Sequence, residues 1–261
     1  MKRKGAKLGQ HFLTAPGIAR AVGVAAGVEP GVAVLEIGPG RGILTNELLE
    51  LGGKVIAVEK DSALVEHLKE RFREAIDLGV LTIVEDDVRN VSLSSLGLEK
   101  HSFVLAANIP YYITGEIIRT FLSTEMQPKR IALLVQREVA ERIARDKKES
   151  ILSLSVKAYG TPKYVKTVSR GSFSPAPSVD SAILSIDNIS NDFFSDFHED
   201  DFFKVVKAGF AAKRKMLAGN LTAIAPREKI ERAFQKCGLD RKIRAEDVSL
   251  EEWGRLVTAL W

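Results

Sequence analysis

The chain has 261 residues, enough for one large domain or for a medium domain with a smaller one. Hydrophobic residues make up 45% and charged residues 28%, the balance of an ordinary globular protein with ample material for a core. A single cysteine, Cys237, excludes an internal disulfide framework and a cysteine-rich zinc site. We therefore expect a reducing, cytoplasmic setting, no metal and, since no apolar stretch is long enough, no membrane span.

The sequence opens with a basic arm, residues 1–8, which precedes a short apolar run, residues 21–28. Polar and charged residues, among them His11 and Arg20, separate the arm from that run. The apolar run ends just before Pro30. This order is not that of a secretory signal peptide. The sequence therefore predicts a basic arm followed by a first, short helix.

Strands and helices alternate over the next hundred or so residues. Apolar strands are predicted at 32–37, 54–60, 80–87, 102–109 and 130–136, and helices at 43–51, 62–76, 115–123 and 137–146. This alternation predicts βαβ units and a parallel sheet. Because the strands are apolar along their whole length, we expect both faces of the sheet to be covered.

The pattern changes after about residue 160. Residues 163–173 and 180–186 are predicted strands without a helix between them, so the sheet is expected to end antiparallel. The acidic residues 187–201 mark the predicted boundary, and the sequence beyond them is helical only. We predict a catalytic domain over 1–188 and a helical C-terminal domain over 200–261.

Charge is unevenly distributed within the second of these domains. Residues 202–244 contain twelve Lys or Arg against three Asp or Glu, a net charge of +9, whereas the whole chain has only +4. Such asymmetry favours a face that binds a polyanion such as nucleic acid. A solvated helical surface is the alternative.

A glycine-rich turn, "EIGPGRG", follows the first predicted strand and contains Gly38, Gly40 and Gly42. Glycines let the backbone turn sharply and approach a ligand closely. In open α/β sheets, ligands bind at the carboxyl ends of the strands. The spacing is G-x-G-x-G rather than the G-x-G-x-x-G of dinucleotide-binding folds, and a plain tight turn is the alternative.

The next two strands end in carboxylates. Glu59, 21 residues after Gly38, can accept hydrogen bonds from ribose hydroxyls, and Asp87 can accept one from an adenine amino group. Together with Glu36 they place three carboxylates near the site, which disfavours a pyrophosphate. S-adenosylmethionine has no phosphate and carries a sulfonium charge, so these acids favour it over a nicotinamide dinucleotide.

The segment "AANIPYYITGE" follows the fourth strand and can hold a nucleobase. The lone pair of an exocyclic amino group is delocalised into the base, and two acceptors on its hydrogens draw the nitrogen toward a tetrahedral form. The Asn108 side-chain oxygen and the Ile109 carbonyl can be these acceptors. Pro110 stiffens the turn, and Tyr111 offers a ring for stacking to a base that is single-stranded or extruded from its helix.

Other aromatic side chains near this segment allow more than one interpretation. Tyr111 and Tyr112 together can simply cover the edge of the sheet, with Asn108 as a turn former. Tyr112 is expected to pack in this way rather than act on a base. Phe173, at the bend "SFSPAP", is expected either to close the second face of the base or to pack in the core.

Eight segments, in this order, resemble the KsgA family of ribosomal RNA adenine dimethyltransferases. They are "LGQHFL" (8–13), "VLEIGPGRGILT" (34–45), "VIAVEKD" (55–61), "DDV" (86–88), "ANIPYYI" (107–113), "LLVQREVAERI" (133–143), "FSPAPSVDSAIL" (173–184) and "FAAKRKMLAGNL" (210–221). The glycine turn is generic on its own, whereas the joint occurrence is specific.

The resemblance implies a Rossmann-like, class I S-adenosyl-L-methionine-dependent methyltransferase fold of the α/β class. Its sheet would be mostly parallel and seven-stranded, antiparallel at the end, with a small all-helical C-terminal domain that binds rRNA. The implied reaction is N6,N6-dimethylation of two adjacent adenines near the 3′ end of 16S-type small-subunit rRNA, in ribosome biogenesis. The expected partner is this rRNA or a 30S-type pre-ribosomal particle, bound by a monomer.

The resemblance also implies roles for individual residues. Cofactor contacts are predicted at His11, Leu13, Gly38, Gly40, Glu59, Lys60, Asp87, Val88 and Asn108. Catalytic roles are predicted for Asn108, Ile109, Pro110, Tyr111 and Phe173, and rRNA contacts for Lys2, Arg3, Lys4, Lys7, Lys213, Arg214 and Lys215. Some positions depart from the family. His11 stands where the family more often has Asn, and Ile109 and Tyr112 replace the commoner Leu and Asn. The linker "RDKKESILS" (145–153) lacks a Tyr-Gly pair and is predicted to be a variable loop.

Three other functions remain open. An antibiotic-resistance methyltransferase of large-subunit rRNA would share the catalytic segment, but "FAAKRKMLAGNL" matches the KsgA pattern. A non-enzymatic RNA-binding assembly or transcription factor could share the fold, but Glu59, Asp87, Asn108 and Tyr111 are all present. A dinucleotide oxidoreductase is disfavoured by the glycine spacing and by the missing phosphate partners.

Overall fold

The computed structural model describes residues 11–261, which form two compact units. The first unit consists of the described residues up to Ala140 and of Pro162–Ile189, and the second of Glu141–Thr161 and Ser190–Trp261. The sequence instead predicts a division into 1–188 and 200–261. The difference is residues 141–161, which group with the C-terminal part of the chain.

Nine strands are present in the described part of the chain. In chain order they are β1 (Phe12–Leu13), β2 (Ala33–Ile37), β3 (Lys54–Glu59), β4 (Leu81–Glu85), β5 (Phe103–Ala107), β6 (Arg130–Gln136), β7 (Thr161–Val168), β8 (Phe173–Ser174) and β9 (Ser181–Asp187). Seven of them form one sheet in the order β4-β3-β2-β5-β6-β9-β7, and β1 pairs separately with β8.

The large sheet is parallel from β4 to β6 and turns antiparallel at β9, which pairs with β6. The predicted sheet, seven-stranded, mostly parallel and antiparallel at its end, is thereby confirmed. All residues of β5 and of β9 are buried, as expected for strands that are covered on both faces.

Eleven α-helices lie within residues 11–261. They are α1 (Pro16–Ala26), α2 (Ile43–Glu50), α3 (Ser62–Arg71), α4 (Arg73–Asp77), α5 (Thr114–Ser123), α6 (Arg137–Ala144), α7 (Ile151–Lys157), α8 (Glu199–Gly209), α9 (Leu217–Leu221), α10 (Arg227–Cys237) and α11 (Leu250–Leu260). None of these helices combines the length and the apolar character needed to cross a membrane.

Two helices differ from the sequence prediction. The single helix predicted at 62–76 breaks at Phe72, whose backbone leaves helical geometry at φ −113° and ψ 26°. Helix α7 lies partly within the predicted loop 145–153, because Ser150 and Ser153 form a reciprocal capping box that starts it. Leu154 and Ala158 then pack in the core of the second unit, which explains why this segment groups there.

The C-terminal unit is helical around its own hydrophobic cluster, in which Trp253 is fully buried. Phe193, Phe194 and Phe197 lie in the predicted boundary segment, but their rings contact one another and pack on this cluster. The phenylalanines of the acidic segment therefore belong to the core of the second unit.

The order of the strands places a crevice in the first unit. From β2 the chain continues to β3 and β4 on one side, and β5 and β6 lie on the other side. Ligands of open α/β sheets bind at such a reversal, outside the carboxyl ends of the strands. The carboxyl ends of β2, β3, β4 and β5 therefore define where a site is expected.

Candidate active site

A pocket lies at this edge of the sheet and takes its walls from segments that are far apart in sequence. They are residues 11–13, the turn 36–41 after β2, residues 58–60 at the end of β3, residues 86–89 after β4 and residues 108–113 after β5. All nine residues predicted to contact a cofactor line this one pocket, and so do four of the five predicted catalytic residues.

The glycines of the turn after β2 have different roles. Gly38 has φ +64°, and a Cβ added there would meet no heavy atom within 4 Å, so its missing side chain leaves space free. A Cβ on Gly42 would lie 2.4 Å from Cε2 of Phe72. The first glycine thus leaves room for a ligand, whereas the third lets the Phe72 ring pack where helices α3 and α4 meet.

Glu59, the last residue of β3, is held by backbone N–H groups. Its Oε1 accepts hydrogen bonds from the N–H groups of Lys60 (2.9 Å) and Asp61 (3.0 Å), and its Oε2 accepts one from Gly40 (3.2 Å). A carboxylate offers about four lone-pair positions. Three are occupied, which leaves one position, on Oε2, for a ligand hydroxyl.

Glu36 lies in β2, next to the glycine turn, and is fully buried. Neither of its carboxylate oxygens has a hydrogen-bond partner of normal geometry among the described residues. Burial raises the pKa of Glu36 to about 8, the nearby Thr45 hydroxyl and N–H lower it in part, and the Glu59 carboxylate raises it further. The pocket wall therefore contains an acid that is largely protonated at neutral pH.

Asp87 follows β4 and is paired with Arg89. Its Oδ1 accepts from the Arg89 backbone N–H (3.1 Å) and Nε (2.9 Å), its Oδ2 accepts from Nη2 (2.5 Å), and Lys60 Nζ lies 4.0 Å from Oδ2. The bond to the Arg89 side chain lowers the pKa of Asp87 to about 2. The carboxylate is thus an acceptor for any ligand amino group, which must share it with Arg89.

Sequence reasoning missed Arg89 as a pocket residue. The only signal was an arginine two residues after Asp87, a spacing that is common in exposed turns and carries little information. Val88, between them, lines the pocket as predicted from the resemblance. Arg89 adds a half-exposed guanidinium to a wall for which the sequence predicted Asp87 and Val88.

Asn108 follows β5 directly, and its side chain is oriented by a distant segment. Its Nδ2 donates to the carbonyl oxygen of His11 at 3.2 Å. Because a carbonyl can only accept, this bond fixes which end of the carboxamide faces His11 and leaves Oδ1 available as an acceptor. Ile109 is buried beside it, and the Pro110 carbonyl accepts from the Ile113 N–H at 3.1 Å, which closes the turn.

Tyr111 is positioned from two sides. Its hydroxyl hydrogen-bonds to Ser181 Oγ at 2.6 Å, and its ring stacks on the His11 imidazole with ring centroids 5.9 Å apart. Burial raises the pKa of Tyr111, so the phenol stays neutral. Tyr112 is 71% exposed and lines the mouth of the pocket, so the prediction that it packs on the sheet edge is wrong.

Phe173 was predicted either to contact the base or to pack in the core, and it does not lie at the pocket. It is 4% exposed, belongs to the hydrophobic core of the first unit and is not among the residues that line the pocket. Strand β8 pairs with β1, which places Phe173 opposite Leu13 and draws its side chain inward. The structure therefore supports core packing and corrects the prediction that Phe173 closes the second face of a base.

The predicted RNA contacts fall in two places. Lys2, Arg3, Lys4 and Lys7 lie outside the described residues. The other three are Lys213, Arg214 and Lys215, which are exposed in the second unit. Their loop, residues 210–216, is held by buried Asn220, whose Nδ2 donates to the carbonyls of Gly209 and Ala212.

The sequence matches the ribosomal RNA adenine dimethylase family over residues 1–260. The chain belongs to this family. Among its relatives, the ribosomal RNA small subunit methyltransferase A of Dehalococcoides mccartyi is 38% identical, over 97% of this chain and 87% of the relative. The protein of the same name from Clostridium botulinum is 34% identical, over 97% and 93%. The predicted KsgA resemblance is confirmed, and the protein is an enzyme, a methyltransferase.

Solved structures of related enzymes share the fold of this family member. A dimethyladenosine transferase from Plasmodium falciparum has a TM-score of 0.79 and 26% identity, over 94% of this chain and 96% of that chain. The 23S rRNA methyltransferase ErmE has a TM-score of 0.75 and 25% identity, over 95% and 99%. The Rossmann-like class I methyltransferase fold is thereby confirmed, and the fold alone does not distinguish small-subunit from large-subunit rRNA as the substrate.

Proposed function

We propose that this protein uses S-adenosylmethionine to transfer two methyl groups to N6 of each of two adjacent adenines near the 3′ end of small-subunit rRNA, during ribosome biogenesis. One observation carries the proposal: the Asn108 carboxamide, oriented by the His11 carbonyl, shares a pocket with Glu59 and Tyr111. An acceptor for an amino group, an acceptor for a ribose and a stacking ring are what a nucleobase methyltransferase needs.

The chemistry of the pocket fits the proposed cofactor, which, when bound, supplies an electrophilic methyl group on a sulfonium. Glu36 is a buried carboxyl without a hydrogen-bond partner of normal geometry among residues 11–261, and Glu59 keeps one acceptor position for a ribose hydroxyl. Gly38 leaves space for close approach of a ligand. A cationic ligand without phosphate suits a pocket lined by the carboxylates of Glu59 and Asp87, whereas a pyrophosphate would be repelled by them.

The residues after β5 act on the acceptor base. Asn108 Oδ1 and the Ile109 carbonyl accept the two hydrogens of the adenine amino group, so that its lone pair is turned out of the ring toward the methyl donor. The tetrahedral ammonium that results loses its proton readily, so no general base is required. Positioning and polarisation thus account for catalysis, and the second transfer uses the one N–H that remains on N6-methyladenine.

We assign catalysis to the first unit and rRNA binding to the second. The exposed cations at 213–215 lie in a loop that Asn220 fixes, and the surrounding segment 202–244 has a net charge of +9. Phosphate contacts of this kind release counterions, so binding is expected to weaken steeply as salt is added. The basic arm, residues 1–8, is proposed to add to these contacts.

Glu59→Gln is expected to weaken the binding of S-adenosylmethionine roughly tenfold to a hundredfold, since hydrogen bonds to charged groups contribute about 1.5–3 kcal/mol. A glutamine amide must turn its NH₂ toward at least one of the three N–H donors that now face Glu59. Titration calorimetry with the purified protein measures the change. Glu66→Gln, which alters an exposed glutamate of α3, is the matched control, and equal affinity in both variants would contradict the role of Glu59.

The proposed function is tested with methyl-labelled S-adenosylmethionine and three substrates: unmodified small subunits, large subunits and naked small-subunit rRNA. The expected result is label in two adjacent adenines of small-subunit rRNA, with two methyl groups on each. Dimethyladenine blocks base pairing, so primer extension locates the product. Label in large-subunit rRNA would instead identify a resistance-type enzyme, and tight binding to small subunits without label would identify an assembly factor.

A further inference from the structure

A second groove lies within the C-terminal unit, between helices α10 and α11. It has a volume of about 460 Å³. The polar residues that line it all belong to α10, and they are Glu228, Lys229, Arg232 and Lys236. Because these three cations are spaced three and four positions apart, they lie along one face of the helix. The groove therefore carries a row of positive charges with a single acid beside it.

The cations around this groove are not neutralised by the protein. None of the four has an ion-pair partner within residues 11–261, and they are Lys204, Lys229, Arg232 and Lys236. On the same helix, Arg227 pairs with Glu231 at 3.4 Å, so that acid is already engaged. Arg232 Nε donates to the Glu228 carbonyl at 3.3 Å, which leaves its other guanidinium donors for a ligand.

Trp261 brings two of these cations together. Its indole is 52% exposed, and the ring centroid lies 4.6 Å from Lys204 Nζ and 5.4 Å from Lys229 Nζ. The negative face of an aromatic ring attracts cations at such distances. The ring thus holds ammonium groups from α8 and α10 near each other although they repel, and a bound anion would relieve that repulsion.

We propose that this groove is a further rRNA-binding site of the second unit, and that it binds the phosphate backbone. Lys229, Arg232 and Lys236 contact phosphates, and Trp261 is a positioning residue that holds Lys204 and Lys229. A row of unpaired cations along a groove suits a linear polyanion, and the guanidinium can bind a phosphate through two parallel hydrogen bonds. The proposal rests on the proposed function, since it adds a contact with the rRNA of that reaction.

The double variant Lys229→Gln/Lys236→Gln removes two of the proposed phosphate contacts. Each contact contributes about one unit to the slope of log affinity against log salt. The wild type should therefore lose about sixteenfold more affinity for unmodified small subunits than the variant does when salt rises from about 50 to 200 mM. Co-sedimentation of the full-length enzyme with the subunits at several salt concentrations measures this.

The matched control is Lys54→Gln/Lys100→Gln, which removes the same charge. Both lysines are exposed in the first unit, and they lie at or just before the amino ends of β3 and β5, at the opposite edge of the sheet from the pocket. This variant should keep the wild-type salt slope. Because all four lysines are on the surface, the melting temperatures of both double variants should stay close to that of the wild type.

Substitutions of Trp261 test its positioning role without changing the charge. Trp261→Ala is expected to weaken binding to small subunits roughly twofold to fivefold, the size of one exposed cation–π contact. Trp261→Phe keeps a ring for the two ammonium groups and should restore most of the affinity. Equal losses in Trp261→Ala and Trp261→Phe would contradict the positioning role, because a ring would then make no difference.

A third double variant, Lys213→Gln/Lys215→Gln, separates failure of the groove from failure of the proposed function. A lower salt slope in this variant, with the wild-type slope in Lys229→Gln/Lys236→Gln, would overturn the groove and leave rRNA binding by the loop intact. Loss of adsorption to phosphatidylglycerol vesicles, with unchanged subunit binding, would assign the groove to a lipid surface and also overturn it. Absence of subunit binding by the wild type would refute the proposed function and the groove with it.

Discussion

Asn108→Ala is expected to lower the rate of methyl transfer roughly a hundredfold or more, the usual cost of removing one preorganised polar group that acts in a transition state. The substitution removes the acceptor Oδ1 that polarises the adenine amino group, and it also frees the His11 carbonyl. Cofactor binding should fall much less, because Gly38, Glu59 and Asp87 remain. Single-turnover methylation of unmodified small subunits, with saturating S-adenosylmethionine, measures the chemical step.

Asn90→Ala is the matched control for Asn108→Ala. Asn90 is an exposed asparagine that does not line the pocket. Its replacement should leave both the single-turnover rate and the cofactor affinity close to the wild-type values. A wild-type rate in Asn108→Ala at saturating cofactor would show that the carboxamide does not polarise the amino group, and the mechanism proposed for the turn after β5 would then be wrong.

Glu36→Gln is expected to stabilise the free protein increasingly as the pH rises. Burial raises the pKa of Glu36 from an ordinary 4.5 to about 8 in the folded state. In the unfolded chain the carboxyl ionises near its ordinary pKa, so deprotonation favours unfolding over this range of pH. Each pH unit between the two pKa values costs the folded state about 1.4 kcal/mol, and the cost levels off above the folded pKa.

A glutamine side chain does not ionise, so the variant does not lose stability through deprotonation at position 36. The difference in free energy of unfolding between Glu36→Gln and the wild type should therefore grow by about 3 kcal/mol from pH 5 to pH 7.5. Denaturant unfolding of the cofactor-free protein at several pH values measures it. Glu66→Gln should show a much smaller change with pH, and a constant difference for Glu36→Gln would mean that Glu36 is ionised at no cost in the folded state.

The strand ends of the site were predictable because their positions follow from local patterns. Strands β2, β3, β4 and β5 end at Ile37, Glu59, Glu85 and Ala107. The glycines or polar residues that follow each strand are visible in the sequence. In a parallel sheet all carboxyl ends of the strands lie at one edge. Periodicity alone therefore brings Gly38, Glu59, Asp87 and Asn108 into one crevice.

Contacts between short, irregular segments were not predictable in the same way. Strands β1 and β8 have two residues each, too few to show a period, yet their pairing brings His11 to Pro175 and to Asn108. The same pairing buries Phe173, for which the sequence left two positions open. A bond between residues 97 positions apart, such as that of Asn108 with His11, has no local signature.

The sequence by itself determined the sheet, the crevice and the residue types that face it, because hydrophobic period and turn residues act over a few positions. Only the tertiary structure decided which groups are already in use. It assigns the two oxygens of Asp87 to Arg89, leaves Glu36 buried without a partner of normal geometry among residues 11–261, and stacks the rings of His11 and Tyr111. These outcomes depend on burial and on long-range packing, which no local pattern contains.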